Sequence, residues 1–452
     1  MEKIVIIGGT AAGAKAAAKT RRLMPDAEIN VYTQDTHVSY SACGLPYYVE
    51  GNFADYHMLL VRSPEEFEAQ NIHIHLLNKV TKIMPEKKQI VVLDIKKNEE
   101  KVVDYDKLVI STGAYPIIPP IKNVNLKNVF TLRTIEDGIN IKEKALKSKH
   151  ATIVGGGYIG VEMLEAFVKQ GLKVTMVEFA PRIMSIFDDD ISDLIKDHIL
   201  KRDSEHIGII NSDAVTELLG NDEVTGVKTK NGLEFETDFV LISAGVRPNV
   251  QIAVDAGIVL GETGAIKVNK NMQTNIEDIY ACGDCAEKTH IVSQTPVWVP
   301  LGSTANKEGR AVAINISGQK EDFDGILGSA VTRYFGFTMS MTGLTEKQAK
   351  KLGFDPVSAT VTKKDKVGYM PGAKNITIKI IADRKSRKLL GAQAIGSGDA
   401  DKRVNTLATG LLSGLTVDDF FGDDITYAPP YSPSIDPLLN AAQSLIEKLG
   451  QP

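Results

Sequence analysis

The chain has 452 residues, 43% of them hydrophobic and 24% charged, with 38 glycines and a net charge of -5. At about 150 residues per domain, roughly three domains are expected, and mild acidity gives no reason to expect a nucleic-acid partner. No apolar run is long enough to span a bilayer, Met1-Glu-Lys-Ile-Val runs straight into a strand with no room for a leader, and three cysteines suit a reducing compartment, so a cytoplasmic protein is expected.

Ile4-Val-Ile-Ile-Gly8-Gly-Thr-Ala-Ala-Gly13 reads as an apolar strand, a Gly-rich turn and a helix of small residues, followed by a strand at Ile29-Asn-Val-Tyr32. Thr10 stands at the middle glycine position, and Thr33 stands where a strand-end acid is expected, with Asp35 two residues later. On the first helix Lys15, Lys19 and Arg22 fall at i, i+4 and i+7, one side of the cylinder. They form either a solvated face or an anion-binding stripe. Cys43, in Ser39-Tyr-Ser-Ala-Cys43-Gly-Leu-Pro-Tyr47, sits at a helix entrance, with Pro46 in the first turn. Unpaired N–H groups there would stabilise a thiolate; the alternative is a small apolar residue in a core. His73-Ile-His75 alternates as an exposed strand face does, without metal binding.

Asp106-Lys-Leu-Val-Ile-Ser111-Thr112-Gly113 is a strand entering a turn of small residues. Ala151-Thr-Ile-Val-Gly155-Gly-Gly157-Tyr-Ile-Gly160 then repeats the opening pattern in full, with a helix over Val161–Lys169 and a closing strand that ends at Glu178. In both units glycines let backbone approach a pyrophosphate at a helix N-terminus, so two nucleotides facing each other are expected. Asp188-Asp-Asp190 predicts a helix running through Ile199, its acids complementing the dipole at the surface. Phe239-Val-Leu-Ile-Ser-Ala-Gly245 is a second strand into a small turn, and Asn275-Ile-Glu-Asp-Ile-Tyr-Ala-Cys-Gly-Asp284 delivers an acid at a strand end, suited to accept a hydrogen bond from a ligand hydroxyl. Cys282 and Cys285 have the spacing of a redox or zinc pair, but no second ligand pair accompanies them, and no metal site is expected. Ile376-Thr-Ile-Lys-Ile-Ile reads as a strand and Pro437–Leu449 as a helix.

This ordered set resembles the pyridine nucleotide–disulfide oxidoreductases, in which a reduced nicotinamide passes hydride to FAD and the flavin reduces a sulfur centre on its other face. The resemblance covers essentially the whole chain. It implies an α/β fold of two Rossmann-like dinucleotide-binding domains plus a C-terminal α+β dimerisation domain: FAD domain at 1–113 and 247–323, NAD domain at 114–246, dimerisation domain at 324–452. It assigns Gly8, Gly13, Thr112, Gly113 and Asp284 to FAD, and Gly155, Gly157, Gly160 and Glu178 to the nicotinamide nucleotide. Glu178 can hydrogen-bond both ribose hydroxyls of NADH and would repel a 2′-phosphate, while nearby Arg182 leaves NADPH open.

The position of a second redox thiol, five residues after Cys43, is Tyr48, so Cys43 belongs to the single-cysteine branch and oxidises to a sulfenic acid or a mixed disulfide. NADH oxidases and peroxidases of that branch carry a histidine where this chain has Ala11; the turn looks instead like that of coenzyme A-disulfide reductases. Tyr369 and Tyr427 match positions that reach the substrate sulfur from a partner subunit, implying a homodimer with a shared active site. Lys15, Lys19, Arg22, Ser39 and Asn306 match positions lining a coenzyme A groove, although Ala42 replaces an asparagine that some relatives carry. The expected activity is reduction of a small disulfide or persulfide such as coenzyme A disulfide by NADH. The alternatives are an NADH oxidase or peroxidase cycling through a sulfenic acid, and a redox-sensing flavoprotein. With the sequence ending at Pro452, the rhodanese-like domain that some persulfide reductases append is not expected.

Overall fold

The computed structural model describes residues 1–450, and three five-stranded sheets organise them. The first is parallel throughout, in the spatial order Ile279–Ala281, Lys107–Ile110, Lys3–Ile7, Glu28–Tyr32 and Ile72–His75. A parallel strand is covered on both faces and so needs an unbroken apolar run. Ile4-Val-Ile-Ile supplies one and is buried along its length. The following helix, Ala11–Leu23, uses small residues because it is clamped: Ala12, Ala16 and Ala17 are buried, and helix Gly302–Ile316 comes so near that a Cβ on Gly309 would lie 2.3 Å from the Ala12 carbonyl oxygen. Strand Ile279–Ala281 and that helix follow the second sheet in the chain, so the first layer is completed last.

The second sheet is also parallel, in the order Ile207–Asn211, Lys173–Glu178, His150–Val154, Phe239–Ile242 and Val129–Phe130. A short antiparallel ribbon, Ala114–Pro116 against Val246–Pro248, lies where the chain leaves the first layer and returns to it. The third sheet is antiparallel, in the order Ala330–Tyr334, Phe337–Gly343, Leu389–Gly396, Asn375–Asp383 and Pro356–Lys364. Helices Ala400–Ser413 and Pro437–Leu449 bury Val404, Leu407, Leu411, Leu438, Ala441 and Leu445 in its core. Among the described residues no helix is long and apolar enough to cross a membrane.

Three local expectations change. The helix expected from Val161 begins at Tyr158, because Gly157 serves as its N-cap. The helix expected from Asp188 to Ile199 spans Asp189–Asp203, and Asp188 is buried rather than at the surface. Its carboxylate accepts from Gln393 Nε2 at 2.7 Å and pairs with Lys379 Nζ at 3.2 Å, partners that lie far along the chain in the third unit. His75 is half-buried, not exposed: it stacks on Tyr32 with ring centroids 4.4 Å apart and bonds Asn30 Oδ1 at 2.8 Å, and burial pushes its imidazole down to about 4.

Two charged junctions fasten the units together. Lys379 binds Asp188 and Asp190 of the second unit and Glu346 of the third. Glu50, at the end of the helix after Cys43, pairs with Lys169 of the second unit and with Arg333 Nη2 of the third, the latter at 3.3 Å.

Candidate active site

The first Gly-rich turn is held by contacts that tolerate no side chain. Gly8 has φ +100°, and a Cβ there would lie 2.2 Å from the Ser111 carbonyl oxygen. A Cβ on Gly13 would lie 2.0 Å from the Gly8 carbonyl oxygen, which seats the helix directly on the strand. Ser111 Oγ closes the turn by donating to the carbonyls of Ile7 at 2.8 Å and Gly8 at 3.1 Å. Thr112 Oγ1 donates to the Asn249 carbonyl at 2.6 Å. Backbone is therefore left bare at the mouth of the turn, as a phosphate ligand requires.

That mouth opens into a cleft of about 620 Å³. Its lining includes Ala11, Arg133 and Asp284 together with Lys15, Cys43 and Arg62. Asp284 sits in the Gly283–Cys285 turn, which is anchored from behind by a fully buried pair. Glu308 Oε2 accepts from the Gly283 N–H at 2.6 Å, and Lys288 Nζ donates to the Gly283 carbonyl at 2.9 Å, with 3.4 Å between the two charges. Burial raises the Asp284 carboxyl above its ordinary value, against the pull of Lys288 and Arg133. Such a carboxyl gains from a ligand hydroxyl that bonds to it.

Cys43 is the exposed thiol of the three; Cys282 and Cys285 are buried. Cys285 Sγ donates to the carbonyls of Ile110 and Cys282, and burial raises both of these thiols. Cys43 faces the open cleft between dense walls. Burial first, then the carboxylates of Glu162 and Asp284, push its thiol up, opposed by Arg133. The expected stabilised thiolate is thus not what the free chain presents. Ala42–Gly44 is a 3-10 turn and the α-helix Leu45–Glu50 has only six residues, too few for its dipole to outweigh burial and two nearby carboxylates. The longer helix Gly302–Ile316 starts beside the sulfur, since a Cβ on Gly302 would lie 3.9 Å from Cys43 Sγ.

In the second unit a Cβ on Gly160 would lie 2.1 Å from the Gly155 carbonyl oxygen, and Gly155 has φ +107°. A Cβ on Gly157 would meet nothing, so this turn is open on its ligand side. Glu178 Oε2 accepts from the Gly156 N–H at 2.5 Å and Oε1 from the Ala180 N–H at 2.6 Å, which fixes the carboxylate at the strand end. Arg182 is committed to Asp193 at 2.8 Å and Asp189 at 3.1 Å.

The structure therefore gathers Lys15, Arg22, Ser39, Cys43, Gly113, Asp284 and Asn306 around one cleft. Lys19 is outside its lining, and Gly8, Gly13 and Thr112 support it from behind. Tyr369 and Tyr427 lie elsewhere, 74% and 52% exposed on loops of the third unit. Sequence reasoning missed Ser111, Arg62, Arg133 and Glu162. Arg62 stacks its guanidinium on Phe67 at 5.0 Å, with Nη1 buried and without a hydrogen-bond partner among the described residues. Glu162 accepts from Thr332 Oγ1 at 2.9 Å, and burial pushes its carboxyl up to about 7. Ser111 had a signal, since Ser243 occupies the same place after the second unit. The other three had none.

Residues 2–309 match the pyridine nucleotide-disulphide oxidoreductase family, and residues 329–438 match its dimerisation domain. The chain belongs to that family. It is 37% identical over 449 residues to an NAD(P)H coenzyme A polysulfide/persulfide reductase of Pyrococcus horikoshii, with 98% of each chain covered. It is 32% identical to an NADH oxidase of Methanocaldococcus jannaschii, with 99% of each covered. The crystal structure of reduced Bacillus anthracis CoADR-RHD superposes with a TM-score of 0.95 at 36% identity, over 99% of this chain and 80% of the other. As a member of this family, the protein is an α/β flavoprotein oxidoreductase.

Proposed function

We propose that this flavoprotein reduces a small disulfide or persulfide, coenzyme A disulfide first among them, with Cys43 as its single redox thiol and NADH as donor. Cys43 carries the reading: it is the one exposed thiol, and it stands in a cleft that also presents Lys15, Arg22 and Arg62 to an anionic ligand. Support for coenzyme A as that ligand comes from the unpartnered Arg62 Nη1 and from the Pyrococcus relative. The bare Gly8–Gly13 turn, Gly113 and the raised carboxyl of Asp284 suit FAD, and the open Gly155–Gly160 turn with Glu178 suits NADH. Arg182 pairs with Asp189 and Asp193, so a 2′-phosphate would have to compete with two aspartates for it.

The chemistry that a bound FAD supplies is a two-electron relay from nicotinamide hydride to sulfur. Cys43, as thiolate, attacks one sulfur of the substrate; the S–S bond breaks, one thiolate leaves, and Cys43 keeps the other half as a mixed disulfide. Two electrons from NADH then cleave that second S–S bond, releasing the second thiol and restoring Cys43. Overall NADH, H⁺ and RSSR give NAD⁺ and two RSH. Tyr369 and Tyr427 from a second copy of this chain would donate phenol hydrogen bonds to the leaving thiolate. Their exposure in a single chain supports that arrangement.

The Methanocaldococcus relative favours a second reading, oxygen reduction through a Cys43 sulfenic acid. Ala11 in the cleft wall offers no proton for such chemistry. Turnover on coenzyme A disulfide should exceed turnover on oxygen, and mass spectrometry of the native protein should find coenzyme A on Cys43. Cys43→Ser should lose disulfide turnover while flavin reduction by NADH persists. Rapid oxygen reduction without disulfide activity would reverse the order of the two readings, and an active Cys43→Ser variant would end both.

A further inference from the structure

Tyr369 and Tyr427 come from separate loops, and among the described residues neither phenol makes a hydrogen bond. Their placement rests on the loop backbones, which carry turn hydrogen bonds of their own, and on what holds the loop bases. The Tyr369 loop is closed by Asp365 and Lys374: the Asp365 N–H donates to the Lys374 carbonyl at 2.9 Å, and the Lys374 N–H donates to the Asp365 carboxylate Oδ1 at 2.7 Å. The Tyr427 loop ends at Ser432 and Asp436, where Ser432 Oγ donates to Asp436 Oδ2 at 2.8 Å and Asp436 Oδ1 caps helix Pro437–Leu449 by accepting from the Leu438 N–H at 2.8 Å.

One side chain joins the two bases. Arg403, on helix Ala400–Ser413, is 6% exposed. Its Nε donates to Asp436 Oδ1 at 3.1 Å and its Nη2 to Asp436 Oδ2 at 2.9 Å, a two-point grip on the carboxylate. The same Nη2 donates to the Asp365 carbonyl at 2.9 Å. A planar guanidinium can hold both loops in one geometry; an ammonium cannot span the same fork.

We infer that Arg403, through Asp436 and the Asp365 carbonyl, is a positioning residue that sets the spacing between the Tyr369 and Tyr427 phenols. The inference rests on the proposed role of those phenols. Displacing either phenol by an ångström weakens a hydrogen bond to the leaving thiolate, so Arg403 acts on the sulfur step without touching substrate.

The test uses the flavin-loaded dimer in a double-mutant cycle: wild type, Arg403→Lys, the double variant Tyr369→Phe with Tyr427→Phe, and all three changes together. Turnover on coenzyme A disulfide and the single-turnover rate of flavin reduction by NADH are measured for each. Arg403→Lys should lower kcat for the disulfide about tenfold while leaving flavin reduction unchanged, and should cost nothing further once both tyrosines are Phe. Full activity in Arg403→Lys, an equal loss in the double-Phe background, or a parallel loss of flavin reduction would overturn it, because each marks a fold pin rather than a positioner. If the double-Phe variant alone matches wild type, the phenol reading itself fails, and the inference with it. Should Arg403→Lys not fold, Asp436→Asn, which keeps the helix cap but weakens the grip, carries the same cycle.

Discussion

The two Gly-rich units are built on one plan and present different things at their mouths. In each, the first glycine has positive φ, the last is pressed to within about 2 Å of the first one's carbonyl once a Cβ is imagined, and a serine from the next parallel strand donates to two turn carbonyls. The differences lie beside that frame. Gly9 and Gly156 are both backed by apolar side chains, Val38 and Ile183, but the Gly156 N–H also donates to Glu178, so the second turn is tied to a carboxylate. The first opens into a walled cleft with Cys43 and Asp284, and the second has open space at Gly157. Close approach of backbone to a phosphate is thus a property of the βαβ frame, whereas choice of ligand rests on the strand end and on what other segments bring to the rim.

The largest expected effects break that frame one unit at a time. Gly13→Ala forces a Cβ onto the Gly8 carbonyl and should leave purified protein with little flavin, read as lost absorbance after desalting. Gly160→Ala commits the equivalent clash in the second unit, and should keep the flavin while lowering kcat/KM for NADH at least ~10-fold, since overpacking of this kind costs about 1–3 kcal/mol. Flavin loss in both, or in neither, would mean that the two turns do not serve separate ligands.

A smaller effect should sharpen the contrast at the strand ends. Glu178→Ala removes the carboxylate that would meet the ribose hydroxyls, and also frees the Gly156 N–H. The NADH to NADPH ratio of kcat/KM should fall about tenfold, as expected for losing a hydrogen bond to a charged acceptor. An unchanged ratio would leave Glu178 with a purely structural task.

The smallest concerns Glu162, on the second unit's helix but close enough for its charge to act on Cys43 of the first. Its carboxyl is held up at about 7 chiefly by burial. Between pH about 4.5 and 7 the folded chain keeps this proton and the unfolded chain does not, so unfolding releases it and rising pH favours unfolding. Stability should fall by up to about 3 kcal/mol across that window and level off above it. Denaturant titrations at pH 5 and 7.5 check this, with Glu162→Gln expected to lose that part of the slope; an identical pH dependence in the variant would place the titration elsewhere.

How much the sequence disclosed follows from how far each constraint reaches. Turn glycines, apolar strands and helix Pro437–Leu449 obey local rules, so they were legible, and with them the α/β layers. Asp188 was misjudged as a surface acid because Lys379 and Gln393, which bury it, come from the third unit. His75 was misjudged because Tyr32 covers it from a neighbouring strand. Arg62 and Arg133 reach the cleft from segments with no periodic or motif signal, and Glu162, although on a legible helix, acts on Cys43 of another unit; only tertiary placement reveals them. The Cys43 thiol illustrates a subtler limit: helix-entrance residues were visible, but the shortness of the helix and the carboxylates opposite were not.

The two junctions around Lys379 and Glu50 bear on how such a protein can be taken apart. Asp188, Asp190 and Lys169 belong to the second unit, yet the partner of the two acids, Lys379, lies in the third unit and the partner of the lysine, Glu50, lies in the helix behind Cys43. A graft that imports a foreign second unit across its covalent boundaries would strip buried Lys379 of Asp188 and Asp190, leaving it Glu346 alone, and would strip buried Glu50 of Lys169, leaving it Arg333 alone. A buried ion that loses part of its compensation costs stability. The unit is therefore a separate piece of the chain without being an exchangeable one: chimaeras should survive when the acids at 188 and 190 and the lysine at 169 travel with the recipient's third unit, and recombination between relatives should be tolerated along that seam rather than at the two linkers.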